Sequence, residues 1–204
     1  MFGLSLLDIS AGLGICATAL LTFNFLLGMM LGTAYKRSFY WQKMPAIVKK
    51  LNIDSLHNQT AYVALLFALL HPLFLMLDPA SKFRIVTVFF PLNAPTQNYI
   101  VLMGSLSLFA LLIVIITTQK AIKRKISFRV WKNIHLLSYG TAALFIFHGL
   151  LMDPKLKDRP TDWLDAEKFI SEFCLLLLIA AGVMRYSYHT RNKATNKNFP
   201  NEQC

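Results

Sequence analysis

From Leu56 to Pro72 the chain reads LHNQTAYVALLFALLHP, and from Trp131 to Leu150 it reads WKNIHLLSYGTAALFIFHGL. Each stretch is a long apolar run with a histidine near either end and no acidic residue inside. Crossing about 30 Å of hydrocarbon takes about 20 mostly apolar residues, and helices are the default spanning element because backbone polar groups must pair internally there. Three more runs of this kind accompany the two. The five spans are read as Ile9 to Ala34, His57 to Leu77, Tyr99 to Thr118, Asn133 to Met152 and Phe169 to Tyr188. The expected fold class is an all-α integral membrane protein, a bundle of about five transmembrane helices. A sixth would need the apolar patch near 83–91, which is too short to cross and is interrupted by Pro91. It reads as an interfacial segment or a short helix lying on the membrane.

Composition agrees with that reading. Of 204 residues, 55% are hydrophobic and 15% charged, against about 25% charged in soluble domains. A formal charge of +11 would suit nucleic acid, but no soluble domain presents a basic face. Basic loops beside membrane spans have a simpler cause in orientation. The segment between spans one and two carries five Lys and Arg, the segment between three and four carries six, and the tail carries four. The opposite side holds the remaining six, Lys82, Arg84, Lys155, Lys157, Arg159 and Lys168. By the positive-inside rule the N-terminus is expected outside and the C-terminus in the cytoplasm, in a bacterial inner (plasma) membrane. Met1 to Ser10 has Asp8 and no basic residue, unlike a cleaved signal peptide, so the first run is expected to remain as a span. One membrane domain over 1–192 is expected, followed by a short polar cytoplasmic tail at 193–204. Cys16, Cys174 and Cys204 form no disulfide framework, zinc pattern or covalent haem-attachment motif.

The histidines carry the chemistry. His57 and His71 are 14 residues apart on span two, and His135 and His148 are 13 apart on span four. At about 1.5 Å rise per residue these separations are about 21 and about 20 Å. Both spans run the same way, so His57 is expected to face His135 at one depth and His71 to face His148 at the other. Taken singly, an intramembrane histidine is often interhelical glue, and one near a helix end can simply sit in the interface. Four at matching depths on two parallel spans point instead to a ligand set, since intramembrane ionisable groups are functional candidates by default. Neutral imidazole is a good iron ligand. Two facing pairs suit two stacked, six-coordinate haems, inner (His57, His135) and outer (His71, His148). A bare ion fits less well, because no nearby Cys, Asp or Glu adds ligands. One feature resists this picture: at about 100° per residue, a spacing of 13 leaves about 140° between His135 and His148 on an ideal helix. Either the haems lie on different sides of span four, or that helix is distorted near Ser138 and Gly140. His189, beside Arg185 and Arg191, reads as solvated or interfacial. Trp41, Trp131 and Trp163 read as interfacial anchors. Arg129 and Lys132 precede His135 and are candidates to pair with haem propionates, although topology alone also places basic residues there.

These stretches, together with the basic segment TTQKAIKRKISFRVWKNIH from Thr117 to His135, resemble the ferric-reductase-like transmembrane domain family. That family includes the haem domains of ferric reductases and NADPH oxidases and the haem subunit of the bacterial methionine sulfoxide reductase system. The resemblance covers most of the chain, and the spacings of 14 and 13 are the family's. It implies that His57, His71, His135 and His148 are axial ligands of two b-type haems. The sulfoxide reductase subunit is similar around Thr117 to His148, but its pattern has no histidine matching His57, which favours the general domain. No Gly-rich phosphate loop follows Tyr188, so no flavin or nicotinamide domain is expected.

The expected function is a transmembrane di-haem cytochrome. It would pass electrons from a cytoplasmic flavin reductase or membrane quinol to an extracytoplasmic acceptor such as ferric iron, a periplasmic redox enzyme or oxygen. One alternative is a haem subunit dedicated to a single soluble redox partner. Another is a non-haem transporter or scaffold with structural histidines, against which the absence of acidic residues in the span interiors counts. The expected partners are the lipid bilayer, a separate donor and an external acceptor, with no nucleic acid.

Overall fold

The computed structural model describes residues 5–33, 35–152 and 168–198. Among them five helices are long and apolar enough to cross a membrane, and there is no strand. They are α1 (Leu6–Leu31), α2 (Ile53–Leu77), α3 (Asn98–Thr118), α4 (Phe128–Leu151) and α5 (Phe169–Asn198). The chain is an integral membrane protein built as an all-α bundle.

Three helices begin several residues before their apolar runs because polar caps set their first turns. Ser5 caps α1 by accepting from the Asp8 N–H at 3.1 Å, while the Asp8 carboxylate accepts from the Ser5 N–H at 3.0 Å. Asn52 accepts from the Ser55 N–H at 3.2 Å, and Ser127 from the Val130 N–H at 3.3 Å. Each cap satisfies an N–H that the helix itself leaves without a partner. At the other end of the chain α5 runs ten residues past Tyr188, to Asn198, so the polar tail begins as helix. Pro72 lies inside α2 without ending it. A proline removes a donor from the ladder, which membrane helices tolerate.

The patch near 83–91 forms only a five-residue helix, Ile85–Phe89, followed by a 3-10 turn at Pro91–Asn93. Phe89 meets Phe109 of α3 with ring centroids 5.6 Å apart, which fastens this segment to the bundle without crossing it.

Helix α1 packs along α2, and α3 along α4; α5 covers α1 and α4. Helices α2 and α4 scarcely touch along their backbones. Midway along the bundle the core closes on Leu21, Ala64, Leu111, Ala142, Phe145 and Ile146. Ala64 is fully buried and lies seven residues from each histidine of its helix, so this apolar layer divides the histidine levels. The side chain of His189, the segment 153–167 with Trp163, and Cys204 lie outside the described residues.

Candidate functional site

The four histidines reach across the gap between α2 and α4 in two pairs. His57 faces His135 with ring centroids 6.3 Å apart and planes at 72°, and His71 faces His148 at 6.2 Å and 75°. The structure thus brings together the pairs expected from depth alone. Imidazole nitrogens bond transition metals at about 2 Å, with each ring centre about 1.1 Å behind its ligating nitrogen. Two rings bound from opposite sides to one metal then have centroids about 6.3 Å apart. Both pairs meet that separation.

The rings are also held from behind. His57 Nδ1 lies 3.0 Å from the Asn24 carbonyl, His71 Nδ1 2.7 Å from the Ser10 carbonyl, and His148 Nδ1 2.8 Å from the Ile100 carbonyl. A carbonyl only accepts, so Nδ1 carries the proton in all three, which in the neutral ring leaves the lone pair on Nε2. In metal-ligating histidines a hydrogen bond of this kind, made by the nitrogen that does not bind the metal, fixes tautomer and ring orientation.

One turn beyond each of these carbonyls stands a glycine. A Cβ on Gly28 would come within 3.1 Å of the His57 ring, on Gly14 within 3.1 Å of His71, and on Gly104 within 2.8 Å of His148. Each ring therefore lies in a notch made by a carbonyl at position i and a missing side chain at i+4. Sequence reading passed over these residues, although a signal was present: Ser10 and Asn24, like Gly14 and Gly28, repeat the 14-residue spacing of His57 and His71. Because α1 runs antiparallel to α2, its repeat matches theirs level by level. Asn24 also locks the helices together, its amide donating to the His57 carbonyl and, at 2.8 Å, to the Thr60 hydroxyl.

His135 differs. Its Nδ1 is buried with no hydrogen-bond partner, and its ring stacks on Trp131, one turn earlier, at 5.2 Å and 17°. Trp131 also meets the Lys123 ammonium, 4.0 Å from its ring centre, and the Phe128 ring at 5.7 Å. Trp131 is thus a support for a site histidine rather than only an interfacial anchor. This contrast also resolves the 13-residue spacing. Helix α4 is unbroken from Phe128 to Leu151. The two rings leave it differently, His148 toward the α3 backbone and His135 back along its own helix, the direction helical side chains favour.

Around His71 and His148 the bundle forms a half-open cavity of about 450 Å³, lined by residues of all five helices. That is within the usual range for small-molecule and cofactor sites, about 300–1,000 Å³. Among the described residues no group of three or more His, Cys, Asp or Glu could hold a metal ion. Each pair offers two ligands only, which suits a metal that brings its own equatorial ring. Arg129 and Lys132 are exposed.

The fold and site define a helical membrane module with two facing imidazole pairs stacked along its axis. The chain belongs to the family described as ferric reductase like transmembrane component, whose model matches residues 13–146, about two thirds of it. It is a ferric-reductase-like transmembrane redox component. The match contains His57, His71 and His135 and stops two residues before His148. No curated protein matches the chain.

Proposed function

We propose that the chain holds two b-type haems, one between His57 and His135 and one between His71 and His148, and conducts electrons across the bilayer. The observation that carries this is the pair of imidazole separations, 6.3 and 6.2 Å, each of the size two axial ligands of one iron require. A haem iron held on both faces by imidazole supplies reversible one-electron chemistry and has no open position for substrate.

The chain's own residues do the rest. The Ser10, Asn24 and Ile100 carbonyls hold the Nδ1 protons and turn Nε2 toward the gap. Gly14, Gly28 and Gly104 leave room for the rings. The layer around Ala64 and Phe145 keeps water from linking the two levels, so charge crosses without an aqueous path. With the basic segments in the cytoplasm, the N-terminus lies outside and the C-terminus, with the tail from 193 to 204, inside. Electrons enter from a separate flavin reductase or from quinol and leave to an extracytoplasmic acceptor.

The test is transmembrane electron transfer in liposomes. Protein is reconstituted around entrapped ferricyanide and dithionite is added outside. Decolourisation well above that of protein-free liposomes, and its loss in His71→Ala, is the expected result. Decolourisation equal to that of empty liposomes would defeat the proposal.

A further inference from the structure

Residues 32–52 join the ends of α1 and α2, the helices that carry Gly28 and His57. They include Lys36, Arg37, Lys43, Lys49 and Lys50 and no acidic residue. Because α1 and α2 both span the bilayer, both ends of this connection are fixed at one membrane surface. It folds there into two short helices, Phe39–Gln42 and Ala46–Lys49, with Pro45 between them. Its large aliphatic side chains are turned out of the bundle: Met44, Ile47 and Leu51 are 44, 80 and 50% exposed. The other basic connection, 119–127, differs, since its Ile122 and Ile126 are half-buried. Basic character alone therefore does not explain the exposed aliphatic groups. The cations lie among them. The Lys43 ammonium is 4.2 Å from the Phe39 ring centre, Lys49 donates to the Gln42 carbonyl at 2.6 Å, and Lys36 and Lys50 are exposed.

We infer that residues 35–51 form an interfacial strap that binds anionic phospholipid, with Met44, Ile47 and Leu51 among the upper acyl carbons and the lysines on the phosphate groups. Exposed aliphatic groups interleaved with ammonium groups at a membrane surface have the composition of segments that lie in the headgroup region. Aliphatic side chains gain by leaving water, and each basic residue beside a span strengthens binding to an anionic surface by about fivefold. An acidic soluble protein would answer the charges equally well. The three aliphatic groups, however, sit where the helix ends meet lipid, and acyl chains are at hand to cover them. The inference is independent of what the four histidines hold.

The test uses Trp41, inside the strap, as the reporter. Its emission is the difference between the full chain and Trp41→Phe, so the other tryptophans cancel. Both proteins are placed in phosphatidylcholine bilayers that contain, at equal mole fraction, phosphatidylglycerol or phosphatidylcholine brominated on the upper acyl carbons. Quenching at least about twofold stronger by brominated phosphatidylglycerol is expected, becoming equal for the two lipids at about 1 M salt, where charges are screened within about 3 Å. The preference should also vanish when Lys43→Gln, Lys49→Gln and Lys50→Gln are combined. Ile47→Ser combined with Leu51→Ser should weaken quenching by both lipids. Equal quenching by the two lipids at low salt would overturn the inference, as would a preference unchanged in the triple lysine variant. Quenching by neither lipid would overturn it too, and is the outcome if a soluble acidic partner covers the strap instead. If the triple variant yields no folded protein, Lys36→Gln with Lys50→Gln, both at exposed positions, takes its place with the same readings.

Discussion

Gly104→Ala offers a quantitative test of the glycine notch. A Cβ there would lie 2.8, 2.9 and 3.1 Å from three atoms of the His148 ring, closer than carbon and nitrogen tolerate. The ring must move, and its Nδ1–H then gives up the Ile100 carbonyl, now at 2.8 Å. Overpacking of a tight contact costs about 1–3 kcal/mol and the hydrogen bond about 1 kcal/mol more, together about 2–4 kcal/mol. At about 1.4 kcal/mol per decade that is about 30-fold to about 1,000-fold weaker cofactor retention at the His71–His148 level. Gly14→Ala and Gly28→Ala, whose nearest approach is 3.1 Å, need a smaller adjustment and are expected to fall between Gly104→Ala and the parent. The control is Gly140→Ala. Nothing lies within 4 Å of a Cβ there, so the change should be neutral or stabilise the helix by about 0.5–1 kcal/mol. Cofactor content by pyridine haemochrome and thermal melting in detergent give both readings. If Gly104→Ala and Gly140→Ala behave alike, the notch is not what positions His148.

Other expectations follow from the same contacts. Ser10→Ala removes the hydroxyl bond to the His71 carbonyl but keeps the backbone acceptor, so a stability loss of about 1 kcal/mol with full cofactor content is expected in a detergent melt. Asn24→Ala should cost about 1–2 kcal/mol by removing the amide bonds to the His57 carbonyl and the Thr60 hydroxyl, which keep their partners within α2. Asn24→Asp should be worse, because it buries a carboxylate at membrane depth; the order of the two melting temperatures checks this. Trp131→Ala removes the ring that supports His135, and loss of only the cofactor between His57 and His135 is expected, with Trp131→Phe closer to the parent. Equal loss at both levels, counted by haemochrome, would refute that division.

How much was legible follows from where each determinant resides. The five spans stood out because hydrocarbon demands long apolar runs, and runs are visible in sequence. Their starts were misjudged because Ser5, Asn52 and Ser127 are polar and lie outside those runs. The histidine pairing was legible because equal depth on two parallel helices depends only on residue spacing. The means of holding the rings was not, since three acceptors are backbone carbonyls, which carry no residue signature, and the glycines act by what they lack. The 13-residue spacing misled because it treats side chains as radial spokes. His135 lies back on Trp131 while His148 reaches α3, and the helix itself has no break.

The most direct measurement is the absorption spectrum of the purified protein, oxidised and dithionite-reduced, with a pyridine haemochrome count, repeated for each of the four histidines changed to alanine. Two b-type haems per chain are expected. His57→Ala and His135→Ala should lose the same one, and His71→Ala and His148→Ala the other. A folded but colourless parent protein would contradict it, and so would four variants that all keep both haems.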